Sequence, residues 1–123
     1  RTRQADPRRP WTVSYAPGVP LDIDPVTEPV TRNLDRAAHE HPARVATDFL
    51  GAVTTYATLH RRVLRAAGAL RDLGVGPGDR VALVLPNSAT HVVAFYAVLR
   101  LGAVVVEHNP TYSAGELEHQ LRD

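Results

Sequence analysis

The groups in this chain that could do chemistry are six histidines, one glycine-rich turn and two polar loops. His39-x-His41 is the close imidazole pair. On a helix those two positions point to different faces, and no third ligand completes a tight set, so a surface or turn role is favoured over zinc. Ser88-x-x-His91 has the residue types of a nucleophile and its base. It lacks the G-x-S-x-G turn that exposes a catalytic serine, and Ser88 reads better as a helix cap. Gly74-x-Gly76-x-Gly78 is spaced like a phosphate-cradling loop. Such a loop must follow a strand and open a helix, whereas this one follows a helical pattern and opens a strand. A turn is therefore expected. The better physical case is Pro86-Asn87-Ser88 together with Glu107-His108-Asn109-Pro110-Thr111-Tyr112, although a plain turn at Asn109-Pro110 with Tyr112 packing is favoured over a ligand role. Each segment follows an apolar strand pattern, and ligands of open α/β sheets bind outside the carboxyl ends of the strands.

Composition removes whole classes of chemistry. The chain has 123 residues, with 14 basic and 13 acidic side chains and a formal charge of +1. Every basic residue is Arg, and Lys, Cys and Met are absent. Without thiols there is no disulfide framework, Cys-ligated zinc or Cys nucleophile. Without Lys there is no Walker-type phosphate loop, Schiff base or lysine general base. The near-neutral balance argues against strong nucleic-acid binding. The longest charge-free run, Val81 to Leu99, is interrupted by Pro86, Asn87, Ser88, Thr90 and His91. It is no spanning helix, which needs about 20 predominantly apolar residues. The basic first residues lack the apolar stretch of a secretory signal. A cytoplasmic chain is expected, with peripheral membrane contact compatible. Arg1 in place of Met, and a last residue directly after a helical pattern, read as a piece of a longer protein.

The elements that must position these groups begin after an arm. Six of the ten prolines lie in residues 1–30. Proline fixes φ and removes a donor, so an extended arm is expected there. Four arginines stand in its first nine residues, and a solvated terminus is favoured over a phosphate-binding arm. From residue 31 a helix is expected, with Thr31 as its cap, Leu34, Ala37, Ala38 and His41 at helical spacing, and Pro42 as its stop. Strands are predicted over 45–50 and 53–56 with a turn at Gly51-Ala52. An amphipathic helix follows over 57–73, with Leu59, Val63, Ala66, Ala67, Leu70 and Leu73 as its apolar stripe and Gly74 as its terminator. A strand over 80–85, a helix over 89–101 and a strand over 103–106 make a βαβ unit, whose doubly apolar strands belong in a covered, mostly parallel sheet. Ser113 and Glu116 form a capping box opening a helix over 114–122. The class is α/β, and the segment reads as the N-terminal part of a larger layered domain.

These pieces, taken in order, resemble the adenylate-forming acyl-CoA synthetases, a group that includes luciferases and peptide-synthetase adenylation domains. Thr55-Tyr-Ala-Thr-Leu59 resembles the family's T-Y-x-E-L. Gly74-Val-Gly-Pro-Gly-Asp-Arg-Val-Ala-Leu83 resembles G-V-x-x-G-D-R-V-A. Leu85-Pro-Asn-Ser88 is similar to L-P-N-S, and Leu99-Arg-Leu-Gly-Ala103 to L-x-A-G-A. Asn109-Pro-Thr-Tyr112 with Glu116-Leu-Glu-His-Gln-Leu121 is similar to N-P-x-Y-T-x-x-E-L-x-H-Q-L. That last segment, with Arg9-Pro-Trp11 and Tyr15 to Pro20, looks most like the long-chain fatty-acid–CoA ligases. Departures are Thr58 in place of Glu, Leu101 in place of a small residue, and Val106-Glu-His108 in place of a more neutral stretch.

The resemblance implies an ATP-dependent acid–thiol ligase using ATP, Mg²⁺ and CoA, with a fatty acid as substrate. After the proline-rich arm over 1–30, it implies the start of an AMP-binding domain over 31–123. The family's Ser/Thr/Gly-rich phosphate loop, its adenine and ribose contacts and its lid lysine match nothing here. No catalytic, cofactor-binding or metal residue is therefore assigned, and the chain by itself is expected to be inactive. An open apolar strand at 103–106 is expected to limit its solubility. The other readings are an adenylating enzyme for aryl or amino acids, and a non-catalytic interaction module.

Overall fold

The structure, a computed structural model, describes residues 7–122. Arg1 and Arg3 of the arm lie outside the described residues. The arm is not extended throughout: Pro10–Ser14 forms a 3₁₀ turn. Pro10 sits at the first position, where its missing N–H costs nothing. Thr12 is buried, and its hydroxyl donates to the Arg9 carbonyl at 2.8 Å. Arg9 in turn pairs with Asp22.

Helix α1 spans Thr31–Glu40. Thr31 is not its cap. Val30 holds that position in helical geometry with no side-chain hydrogen bond. The preceding turn closes instead on backbone, with Arg32 N donating to Pro29 O and Asn33 N to Val30 O.

Strands β1 (Val45–Phe49) and β2 (Ala52–Thr55) pair antiparallel with a bulge between Val45 and Thr47. Phe49 faces Ala52, so the turn is Leu50-Gly51, one residue earlier than expected. Both turn residues have positive φ, 52° and 84°. A two-residue hairpin of this hand suits the strand twist, but it puts a leucine where Asn or Gly is at ease. The Asp48 carboxylate accepts from Gly51 N at 2.9 Å and supports the turn.

Helix α2 spans Tyr56–Asp72 and starts on Thr55, whose hydroxyl accepts from Thr58 N at 3.3 Å. Thr58 meets that hydroxyl with its own at 3.2 Å. It therefore stays in the cap, although it cannot reach the Thr55 amide as a glutamate would. Past the C-cap Leu73, Gly74 takes φ 97°. Its N–H bonds Arg71 O, and Val75 N bonds Leu70 O at 3.0 Å. This is the Schellman arrangement, which only glycine enters without a Cβ penalty.

Strand β3 (Arg80–Leu83), helix α3 (Ala89–Arg100) and strand β4 (Val104–Glu107) form the expected βαβ unit, its strands parallel from Arg80↔Val104 to Leu83↔Glu107. β3 stops two residues short of expectation. The ladder closes where His108 N donates to Leu83 O, and Pro86 has no N–H to extend it. Helix α4 spans Ala114–Arg122 and carries the expected capping box. Ser113 N donates to Glu116 Oε2 at 2.8 Å, and Glu116 N to Ser113 Oγ at 3.4 Å.

Two buried clusters hold these elements. Leu34, Leu59 and Val63 gather where α1 and α2 meet, with Ala46, Val92, Val93 and Tyr96 against them. Leu83, Val98 and Ala103 gather under the parallel pair, with Leu70, Phe95 and Val105 around them. Val63 and Val98 are fully buried, each worth about 1.5–3 kcal/mol by transfer from water.

Polar groups link the same helices. Asp35 on α1 accepts from Arg100 Nη1 on α3 at 2.7 Å and lies 3.0 Å from His60 Nε2 on α2. Burial opposes ionisation of Asp35, but the hydrogen bonds and charges of Arg100 and His60 outweigh it, and its carboxyl titrates below the usual range. A folded-state value held below that of the unfolded chain gives stability that is complete above pH 4 or so and is lost as pH falls through the folded value.

Two outcomes follow. Asp35→Asn flattens the acid limb of stability against pH, read as urea midpoints from neutral pH downward; an unchanged acid limb would refute the role of this carboxylate. Leu50→Asn raises stability by about 1 kcal/mol through relief of the positive φ, read as a rise in the urea midpoint at constant m-value.

Candidate functional site

The carboxyl edge of the parallel pair does bring the two polar loops together. Ser88 caps α3, its hydroxyl accepting from His91 N at 3.2 Å. The His91 ring makes its contact with Glu107 at the end of β4, its Nε2 lying 2.9 and 3.0 Å from the two carboxylate oxygens. Ser88 and His91 are thus partners through backbone and cap, while the imidazole is committed to Glu107. The pair ties the first turn of α3 to the strand that follows it.

In the second loop, Asn109 Oδ1 accepts from Thr111 N at 3.0 Å and Thr111 Oγ1 at 2.9 Å. Tyr112 N donates to Asn109 O. Asn109-Pro110 is therefore a turn closed on itself. His108 is buried, and its Nδ1 bonds Gln120 Oε1 of α4 at 2.6 Å. Its Nε2 is buried and has no partner among the described residues.

A concavity of about 350 Å³ opens beside the edge, lined by Thr47, Phe49, Asn87, Ser88 and Val92 among others. It sits between the β1–β2 hairpin and the start of α3. The Thr47 hydroxyl there is buried without a partner among the described residues.

The other sequence candidates fall elsewhere. Gly74, Gly76 and Gly78 form the expected turn from α2 into β3: Gly76 N donates to Asp79 Oδ2 at 2.8 Å, and Gly78 N to Gly102 O at 2.9 Å. His39 lies in the last turn of α1 and His41 is its C-cap. Among the described residues no group of three His, Asp or Glu side chains is placed to hold a metal ion. Among the described residues no helix is long and apolar enough to cross a membrane.

Sequence reading singled out both edge loops but not the His91–Glu107 pair, since the two residues are sixteen positions apart. The signal available was Glu107 itself, a charge at the end of an apolar strand. The concavity had no signal, because three of its seven lining residues come from β1, far along the chain from Asn87.

The α/β fold matches the N-terminal subdomain of adenylate-forming enzymes. Residues 34–123 match the AMP-binding enzyme family, and the chain belongs to that family. It is 34% identical over 116 residues to a long-chain-fatty-acid–CoA ligase of Bacillus subtilis (strain 168), covering 94% of this chain and 21% of that protein. It is 44% identical over 91 residues to a salicyl-AMP ligase / salicyl-S-ArCP synthetase of Mycobacterium tuberculosis (strain ATCC 25618 / H37Rv), covering 70% and 16%. Among solved structures, a benzoate CoA ligase from Burkholderia xenovorans LB400 superposes with a TM-score of 0.70 at 32% identity, covering 75% of this chain and 19% of that one. The chain thus spans about a fifth of the length of the curated relatives it matches.

Ser88→Ala is expected to lower stability by about 1 kcal/mol, while Ser88→Asp keeps it. Denaturant unfolding of both variants checks this; a wild-type midpoint for the alanine variant would remove the capping role.

Proposed function

We propose that residues 31–123 are the start of an adenylating domain, preceded by an arm over 1–30, in a ligase that activates a fatty acid. A carboxylate oxygen attacks the α-phosphorus of Mg-ATP, pyrophosphate leaves and acyl-AMP forms. The CoA thiol then attacks the acyl carbon, and AMP leaves. The observation that carries the reading is the match to a long-chain-fatty-acid–CoA ligase along 94% of the chain. The family match beginning at residue 34 supports the division at about 31.

This segment's own residues do not fit a Mg-ATP site. The chain has no Lys. Its glycine turn opens a strand rather than a helix. ATP, Mg²⁺ and CoA are assigned to other parts of the enzyme, and no reaction step is assigned to residues 7–122. The contribution of the segment is to hold the strand edge at Asn87 and Glu107. The reading carries a cytoplasmic location, with contact to a membrane surface compatible.

A second reading is activation of an aryl acid. The 44% identity to a salicyl-AMP ligase and the likeness to a benzoate CoA ligase favour it. ATP–pyrophosphate exchange by the enzyme carrying this segment separates the two. Exchange dependent on a long-chain fatty acid, followed by thioester formation with CoA, is the expected result. Exchange with salicylate or benzoate alone transfers the assignment to the second reading, and no exchange with fatty, aryl or amino acids overturns adenylation.

A further inference from the structure

Helix α2 carries three arginines within five residues, Arg61, Arg62 and Arg65, all exposed. Their hydrogen bonds run to neutral hydroxyls. Arg61 Nη2 donates to Thr58 Oγ1 at 3.2 Å, and Arg62 Nη1 to Thr54 Oγ1 at 3.4 Å. Among the described residues, none of the three has a carboxylate within ion-pair distance, whereas Arg36, Arg71, Arg100 and Arg122 each have one. Arg61 and Arg65 are a like-charge pair one turn apart, which opposes the helix unless an anion offsets it.

The surface around them is concave. Arg62 and Arg65 line a hollow of about 430 Å³ with Ala66 of α2 and Ala89, Thr90 and Val93 of α3. With Arg61 they also line a neighbouring hollow of about 350 Å³ over Thr58 and Leu64. Two guanidinium groups therefore stand on the ridge between two hollows. Each presents planar N–H donors whose spacing matches the oxygens of a phosphate. The apolar side chain lining these hollows that is well exposed is Leu64, which is too little to insert into a bilayer.

We infer that Arg62 and Arg65, flanked by Arg61, form a binding site for the phosphate group of a small soluble molecule. The site lies along the groove between α2 and the first turns of α3 and is independent of the ligase reading.

The test is calorimetric titration of the purified chain with inorganic pyrophosphate at low salt, without acid or CoA, so failure of the ligase reading leaves it intact. Saturable binding that weakens with salt is expected. Arg62→Ala/Arg65→Ala is expected to lower affinity at least about tenfold with unchanged circular dichroism and melting. If that variant does not fold, Arg62→Lys/Arg65→Lys keeps the charge and removes the fork; weaker binding then supports the site and unchanged binding overturns it. Equal binding by wild type and the folded alanine variant also overturns it, as does no saturable binding by wild type. Binding to phosphatidylglycerol-containing vesicles but not to pyrophosphate overturns it in favour of a lipid surface.

Discussion

The whole arrangement depends on the burial of α3 on two sides at once. The described residues form two separate two-stranded sheets that share no strand. What joins them is a helix that is apolar around most of its circumference. Val92, Val93 and Tyr96 pack into the cluster of Leu34, Leu59 and Val63. Ala94, Phe95 and Val98 belong to the cluster under β3 and β4. A helix of this kind cannot rest on a surface; it must be enclosed. Enclosing it sets α2 on one side and the parallel pair on the other, and so fixes the distance from hairpin to strand edge.

Directional contacts then select one geometry from the many that would bury α3. Asp35 joins α1 to both α2 and α3 through His60 and Arg100. Such a partly exposed triad adds specificity more than net energy, because desolvation offsets much of the attraction. Glycines close the helices: Gly102, with φ 71°, ends α3 as Gly74 ends α2, and Gly78 N bonds its carbonyl. The turn between α2 and β3 is thereby attached to the turn between α3 and β4. His91 and Glu107 make the corresponding attachment at the opposite, carboxyl edge. The βαβ unit is pinned at both ends, which is what keeps Asn87 and the Glu107 loop on one edge.

Much of this was legible in residue order, and the misses have physical causes. The capping roles of Ser88, Ser113 and Glu116 are local, because a hydroxyl or carboxylate reaches an amide three positions away whatever surrounds it. The glycine stops at 74 and 102 are local for the same reason. Thr31 failed as a cap because the preceding Pro29-Val30 turn already satisfied the first amides through backbone carbonyls. The arm bends into a 3₁₀ turn at Pro10 because proline's φ suits such a turn as well as an extended chain. The strand end at Leu83 depended on where the neighbouring strand stopped, which no single strand records.

By itself, then, the amino-acid sequence determined the α/β class, the order of the elements, their caps and stops, and the kinship with adenylate-forming ligases. These follow from hydrophobic period and from contacts a few residues long. Only the tertiary structure decided that His91 faces Glu107, that Asp35 draws three helices together, that His108 is buried with one nitrogen unpartnered, and that Arg62 and Arg65 stand between two hollows. Those relations join residues on different elements. They come into being when burial of α3 brings the elements side by side, and no periodicity along one element can encode which side chain will stand opposite.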